Sequence, residues 1–305
     1  MNIVFMGTPY FAVPILEKLN EISPINLVVT QPDKRVGRKQ EFTYSPVKLF
    51  AVRHNLEVFQ PKNIKTDYQR IIDINPDIIV TAAYGQMIPA ELIDHYTMVN
   101  IHGSLLPKYR GGAPVQRAIM NGDTTTGVTL MYMAQKMDSG SIIAQSEISI
   151  EEDDTTTSLM KKLSYVGRDL LVENLEDILN KQIDPILQDE SLVTFAYNLN
   201  KKDEILNFNQ PTYLVMRQLN GLLDEPAASI FIKGVRIKVF KLAKSDIISS
   251  MKPGTVVSID KELHVKTLDG VVRILELSEQ GKKRMTDKAY LNGQKIICEG
   301  SVFNE

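Results

Sequence analysis

Through its first 180 or so residues the chain alternates short, unbroken apolar runs with stretches in which apolar residues recur every third or fourth position. Residues 2–6 form one such run and stop at Gly7; residues 9–20 then carry Phe11, Ile15, Leu16 and Leu19 at helical spacing, and 25–30 is a second run. This order predicts strand, glycine turn, amphipathic helix and strand, the βαβ unit whose right-handed crossover builds a parallel sheet. The rhythm continues with a helix over 45–54, Ser45 as its N-cap and Pro46 in its first turn, a strand over 56–60, a short helix over 67–75 and a buried strand over 77–83. A strand ending at 99–102, a helix over 113–121, strands over 126–133 and 142–150, and a long helix over 157–180 carried by Leu159, Leu163, Val166, Leu170 and Leu171 complete an α/β pattern.

Periodicity is lost between 184 and 203, a stretch that ends in Asn-Lys-Lys-Asp and predicts a linker. The expected organisation is therefore an α/β domain over 1–184, a linker over 185–204 and a second domain over 205–305, a division that 305 residues accommodate with a sizeable core in each part. In the second domain a helix over 212–223 precedes apolar runs at 229–242, 254–259, 263–267 and 271–277, punctuated by glycine and aspartate. Five or so short strands separated by such turns predict a small β-barrel.

Composition narrows the class. With 43% apolar and 24% charged residues the chain is an ordinary globular protein rather than a disordered one. No apolar stretch approaches the roughly 20 residues a membrane helix needs, residues 1–3 lead straight into a strand without a cationic leader, and Cys298 is the sole cysteine, so a reducing, cytoplasmic setting is expected and Cys298 is read as an inert buried thiol. The net charge of −2 conceals an asymmetry: from Lys201 onward the balance is +4, and before it −6. A basic C-terminal third is compatible with a nucleic-acid footprint and equally with a solvated surface. His54, His95, His102 and His264 are scattered without ligand spacing, which argues against a metal site.

The chemistry concentrates between 99 and 116. Asn100 and His102 are two residues apart at a strand end, so both side chains leave one face, and the glycine- and proline-rich run that follows places them at the mouth of a loop. An amide donor beside a titratable ring suits a developing oxyanion, although a histidine at a strand end is commonly structural. Tyr84 and Gly85 follow the strand over 77–83 at the end where open α/β sheets bind ligands. Residues 31–44 hold Lys34, Arg35, Arg38 and Lys39 without apolar periodicity, predicting an exposed basic loop suited to phosphates. Gly7 lacks the partner glycines of a dinucleotide fingerprint, which disfavours a nicotinamide-dependent oxidoreductase.

Asn100, His102, the Ser104, Leu105, Leu106, Pro107 run, Arg110-Gly111 and Asp138-Ser139-Gly140 together resemble the formyltetrahydrofolate-dependent formyltransferase family. The resemblance extends through Phe5-Met6-Gly7-Thr8-Pro9, Thr30-Gln31-Pro32-Asp33, Ser45-Pro46-Val47-Lys48 and Gly281-Lys282-Lys283-Arg284-Met285, so their order covers nearly the whole chain. It implies a Rossmann-like parallel-sheet formyltransferase domain, an OB-like C-terminal barrel that binds tRNA, 10-formyltetrahydrofolate as formyl donor, and the α-amine of initiator methionyl-tRNA as acceptor, acted on by a monomer without metal. Carried over by motif, Asn100, His102 and Asp138 become the catalytic candidates, Ser104, Leu105, Leu106, Pro107, Tyr84 and Gly85 the folate-binding ones, and Arg38, Lys39, Lys282 and Lys283 the tRNA-binding ones. Residues Gln40-Glu41-Phe42 depart from the family pattern, where a second glycine and a further lysine are common, so more of the loop's expected role falls on Arg38 than on Lys39. A cis Leu106–Pro107 bond is also implied.

The resemblance further implies a mechanism. An α-amine titrates near about 7.7 to 8.0 and must shed a proton to attack, with Asp138 assisting directly or through water. Asn100 and His102 then stabilise the oxyanion, His102 also protonating the departing nitrogen. Two rivals remain at this level: a sugar or purine-precursor formyltransferase, which would leave the basic third unused, and a non-catalytic RNA-binding module, which would leave Asn100, His102 and Asp138 idle.

Overall fold

A computed structural model of the chain describes residues 1–36, 41–223, 225–293 and 296–305. In chain order the elements are β1 (Ile3–Gly7), α1 (Val13–Ile22), β2 (Ile25–Val29), β3 (Lys34–Val36), β4 (Glu41–Thr43), α2 (Pro46–Arg53), β5 (Val58–Phe59), α3 (Gln69–Ile74), β6 (Ile78–Ala82), α4 (Ala90–His95), β7 (Met98–His102) and α5 (Pro114–Met120). There follow β8 (Thr125–Tyr132), β9 (Ile142–Ser149), α6 (Thr156–Leu179), α7 (Thr212–Leu222), β10 (Ala228–Ile232), β11 (Val235–Ser245), β12 (Val256–Ser258), β13 (Leu263–Lys266), β14 (Val271–Glu279), β15 (Met285–Thr286) and α8 (Asp287–Gly293). They gather into two compact units, one of Met1–Pro114, Thr125–Ser149 and Leu159–Tyr197, the other of Val115–Thr124, Ile150–Ser158 and Asn198–Glu305. The stretch expected as a linker is thus divided at Tyr197, its first part in one unit and its second in the other.

The first unit is built on a seven-stranded sheet ordered β5-β2-β1-β6-β7-β8-β9. From β5 through β7 neighbouring strands run parallel, and β8 and β9 add antiparallel pairs. Every residue of β1 and β6 is buried, which explains why these strands read as unbroken apolar runs instead of alternating ones. α1 buries Ile15, Leu16 and Leu19 as its spacing requires. Ser45 caps α2 through its hydroxyl, which accepts from the Lys48 N–H at 3.1 Å, with Pro46 at the first helical position as expected.

Residues 31–44, expected as an irregular loop, contain an antiparallel pair, β3 with β4, in the register Lys34↔Thr43 and Arg35↔Phe42. Arg38 and Lys39 lie outside the described residues. The base of this hairpin is pinned from below. Lys48 Nζ donates to Asp33 Oδ2 at 2.5 Å and to Gln60 Oε1 at 2.8 Å, while Gln60 Nε2 reaches Asp33 Oδ1 at 2.9 Å. Two of the family-like motifs, at 30–33 and 45–48, are thereby joined by side chains rather than by sequence proximity.

The second unit carries an antiparallel sheet ordered β10-β11-β14-β13-β12, with β15 on β14. Register shifts along β11, between Val239 and Lys241 and again before Leu242, bend that long strand and let the sheet curl as a small barrel demands. Val215, Leu219 and Leu222 of α7 pack with Ile230, Ile237, Val265 and Ile274 in its core. The single run expected over 229–242 is in fact a hairpin, because Lys233 (φ 48°) and Gly234 (φ 77°) both take positive φ and close a primed two-residue turn. Cys298 is exposed rather than buried: it starts a tight turn, its N–H donating to Ser301 Oγ at 3.2 Å and its carbonyl accepting from the Ser301 N–H at 3.0 Å, which keeps the thiol at the surface.

Candidate active site

β6 and β7 lie at the middle of the first sheet, so their C-terminal ends open where α/β sheets of this kind bind ligands. Thr81 and Asn100 are register partners on these strands, and the Thr81 hydroxyl sits 2.8 Å from Asn100 Oδ1 and 3.0 Å from the Val99 carbonyl oxygen. With its oxygen turned to Thr81, the amide keeps Nδ2 as its donating end, and that nitrogen has no acceptor among the described residues.

His102 closes β7 and is buried, with 7% of its surface exposed. Its Nε2 lies 3.0 Å from the Tyr109 carbonyl oxygen. A carbonyl only accepts, so Nε2 carries the hydrogen and Nδ1 is the nitrogen that takes up or releases a proton. Nδ1 faces Asp138 Oδ2 at 3.8 Å, longer than a direct hydrogen bond and a span that one water can bridge. Asp138 itself sits in a left-handed turn (φ 48°), and its Oδ2 accepts from the Gly111 N–H at 2.8 Å. Gly111 has φ +124°, and a Cβ there would stand 2.7 Å from the Ala196 carbonyl oxygen, so only glycine brings this N–H to the carboxylate. The structure thus brings together the imidazole and carboxylate expected from sequence and sets the amide two residues back along the same strand.

The loop at 104–107 is held from inside. Ser104 Oγ donates to the Lys108 carbonyl at 2.7 Å, the Leu106 N–H donates to Thr129 Oγ1 at 3.0 Å, and Thr129 in turn donates to the Ser104 carbonyl at 2.7 Å. Gln145 Nε2 reaches the Leu106 carbonyl at 2.8 Å. Leu106–Pro107 is cis. The hydroxyl of Ser104 and the peptide of Leu106 are therefore committed to loop shape, while Leu105 and Pro107 keep partly exposed surface. Tyr84 places its ring in the core with Met6, Ile79 and Leu92; its hydroxyl is buried without a partner among the described residues, and that burial pushes its pKa up. The Tyr84 carbonyl accepts from Thr8 Oγ1 at 2.9 Å and Gln31 Nε2 at 3.1 Å, tying the motif at 5–9 to this loop, and Gly85 beside it is exposed.

In the second unit Lys282 and Lys283 are exposed; Lys282 pairs with Glu279 at 2.9 Å, and Arg284 pairs with Glu276 at 2.5 Å while lying 4.6 Å over the Phe240 ring. Among the described residues no group of three or more His, Cys, Asp or Glu side chains converges as metal ligands. Sequence reasoning missed Thr81, Thr129 and Gln145, which hold the candidates in place. It also missed Gln188, whose amide lies beside Asp138. Each acts across a long sequence separation that leaves no local spacing to read.

The description "Formyl transferase" matches residues 1–175, and "Formyl transferase, C-terminal domain" matches residues 198–295. The chain belongs to the formyl transferase family. Within it, the chain is 46% identical over 300 residues to the methionyl-tRNA formyltransferase of Latilactobacillus sakei, covering 96% of this chain and 94% of that protein. The protein of the same name from Lactiplantibacillus plantarum is 46% identical over 315 residues, covering 100% and 99%. Solved structures share the fold at low identity. HypX from Aquifex aeolicus in complex with tetrahydrofolic acid superposes with a TM-score of 0.64 at 19% identity, over 96% of this chain and 47% of that one. An N-formyltransferase from Helicobacter canadensis in complex with folinic acid and dTDP-3-aminofucose gives 0.67 at 19%, over 90% and 98%.

Proposed function

We propose that this chain transfers a formyl group from 10-formyltetrahydrofolate to the α-amine of methionine on initiator tRNA, acting as a monomer in cytoplasmic translation initiation. The observation that carries it is the placement of His102 Nδ1 3.8 Å from Asp138 Oδ2, beside Asn100, at the end of the central strands of a formyl transferase domain. The donor set fits an acyl acceptor reaction: one neutral amide donor, one proton-accepting nitrogen and one carboxylate, with no nucleophilic side chain required. The folate supplies an activated one-carbon group. The α-amine nitrogen bonds to the formyl carbon as the bond from that carbon to the folate nitrogen breaks; Asn100 donates to the formyl oxygen as it gains charge, and Asp138 takes the proton the amine loses and passes it to His102 Nδ1, from which it goes to the leaving nitrogen. Losing one such donor typically costs about 2.7 to 4 kcal/mol of transition-state stabilisation. The loop at 104–107, with Tyr84 and Gly85, holds the folate; Arg38, Lys39, Lys282 and Lys283 meet tRNA phosphates. Among the described residues no helix is long and apolar enough to cross a membrane.

Incubation with 10-formyltetrahydrofolate and a panel of acceptors tests the reading. Formylation of initiator methionyl-tRNA in preference to free methionine, elongator methionyl-tRNA and nucleotide-linked amino sugars is expected. Preferential formylation of an amino sugar would overturn it.

A further inference from the structure

Gln188 lies past α6 in a stretch without periodicity, yet its side chain is tied to the catalytic turn on every side. Its Oε1 accepts from Arg110 Nε at 3.0 Å and Arg110 Nη2 at 2.8 Å. Its Nε2 donates to the Asp138 carbonyl at 2.9 Å and to the Gly140 carbonyl at 2.7 Å. The orientation of this amide is fixed by its partners, since a guanidinium only donates and a carbonyl only accepts. Arg110 has no exposed side-chain surface and is anchored again by Glu190 at 2.7 Å. Its own backbone is held as well: the Arg110 N–H donates to the Thr194 carbonyl at 2.9 Å, and the Ala196 N–H donates to the Arg110 carbonyl at 2.8 Å.

The other flank of the turn is equally tight. A Cβ on Gly140 would stand 1.7 Å from the Tyr132 carbonyl oxygen, so the turn is pressed against the end of β8 with no space to retreat. Asp138 holds φ 48°, a left-handed conformation that aspartate tolerates better than most residues, and it lies in the turn whose end carbonyls Gln188 binds. The only side chain donating to the carbonyls at both ends of 138–140, among the described residues, is that of Gln188.

We propose that Gln188, backed by Arg110, is a positioning residue that sets the Asp138 carboxylate at its distance from His102 Nδ1. It touches no reacting atom and acts through the turn. The inference rests on the reading above, in which Asp138 takes part in the transfer.

Gln188→Glu tests it. The carboxylate keeps the size of the side chain and the acceptors for Arg110, but has no N–H for the two carbonyls. Misplacement by about 1 Å costs as much as 10²-fold, so kcat is expected to fall by about 10- to 100-fold while KM for donor and for methionyl-tRNA stays near that of the parent. Gln188→Ala removes the same donors without adding charge and serves with the same expectation if the Glu variant does not fold. A kcat at the parent level, or a loss confined to KM, would overturn the inference. Asp138→Asn is run beside them: if it turns over at the parent rate, the reading of the site fails; if it is inactive and the Gln188 variants are not, only this inference fails.

Discussion

If Asn100, His102 and Asp138 act on one transition state, as proposed, their removal is expected to be costly and non-additive. Each alanine substitution should cut kcat by about 10² or more, and the His102→Ala, Asp138→Ala double variant should lose far less than the product of the single losses. Product-like losses in steady-state kinetics would show that ring and carboxylate act independently. Thr81 belongs to the same scale. Its hydroxyl lies 2.8 Å from Asn100 Oδ1 and holds the amide in place, and Val replaces it at nearly the same volume without the hydrogen bond. A hydrogen bond of this kind is worth about 0.5 to 1.5 kcal/mol, so Thr81→Val should lower kcat about two- to tenfold, with Thr81→Ser restoring it. An unchanged rate in Thr81→Val would leave Asn100 oriented by its strand alone. Around the buried Arg110, Glu190 shows how strongly the local field favours the carboxylate: hydrogen bonding to Arg110, reinforced by Lys136, draws its pKa down to about 2.

Elements divide into those written locally and those that are not. β1, α1, β2 and the capped α2 were legible because apolar period, Ser45 and Pro46 act within a few residues. The β3–β4 hairpin was not, because its strands lie in a basic stretch without apolar periodicity, and α4, no shorter than α3, has its large apolar residues Leu92 and Ile93 adjacent instead of three or four apart. Of the candidate site, the Asn-x-His spacing on β7 was readable from strand geometry. The Arg110–Gln188 bond spans 78 residues, and nothing local marks it. The second unit offers a test of another unread element, α8. Burial works to raise the pKa of Asp287 at its start, but the Arg273 guanidinium and the Lys288 and Leu263 N–H groups outweigh that and hold the carboxyl below the usual range. A carboxyl depressed on folding stabilises above its unfolded pKa of about 3.9 and loses that contribution as pH falls through the folded value. Asp287→Ala should therefore cost about 2 to 3 kcal/mol near neutral pH, and the gap from the parent should close progressively below about pH 4. Urea midpoints across that range decide it; a gap that stays constant would mean that packing, not charge, sets the cost.

For the whole molecule, the second unit draws on three separate stretches of chain, so a single cut does not release either unit intact. A chain ending at Tyr197 would strand α5, whose Val115, Ala118 and Ile119 are buried, and is expected to aggregate instead of presenting a working catalytic domain. The contribution of the basic third is better read in the full-length protein. Lys282 is compensated by Glu279 at 2.9 Å, but the lysine is half exposed, and a surface pair of this kind is worth about 0 to 1 kcal/mol, so a phosphate can replace the glutamate at small cost. If Lys282 and Lys283 each neutralise a phosphate of the acceptor arm, log affinity for methionyl-tRNA falls with log salt by about 0.9 per contact, and the Lys282→Ala, Lys283→Ala variant should lose nearly two such contacts from the slope. Binding measured from low to physiological salt gives that slope directly, with the largest difference from the parent at the low end. KM for the folate should not move, because neither lysine belongs to the first unit. A slope equal to the parent's would place these lysines off the tRNA path and leave phosphate recognition to other cations.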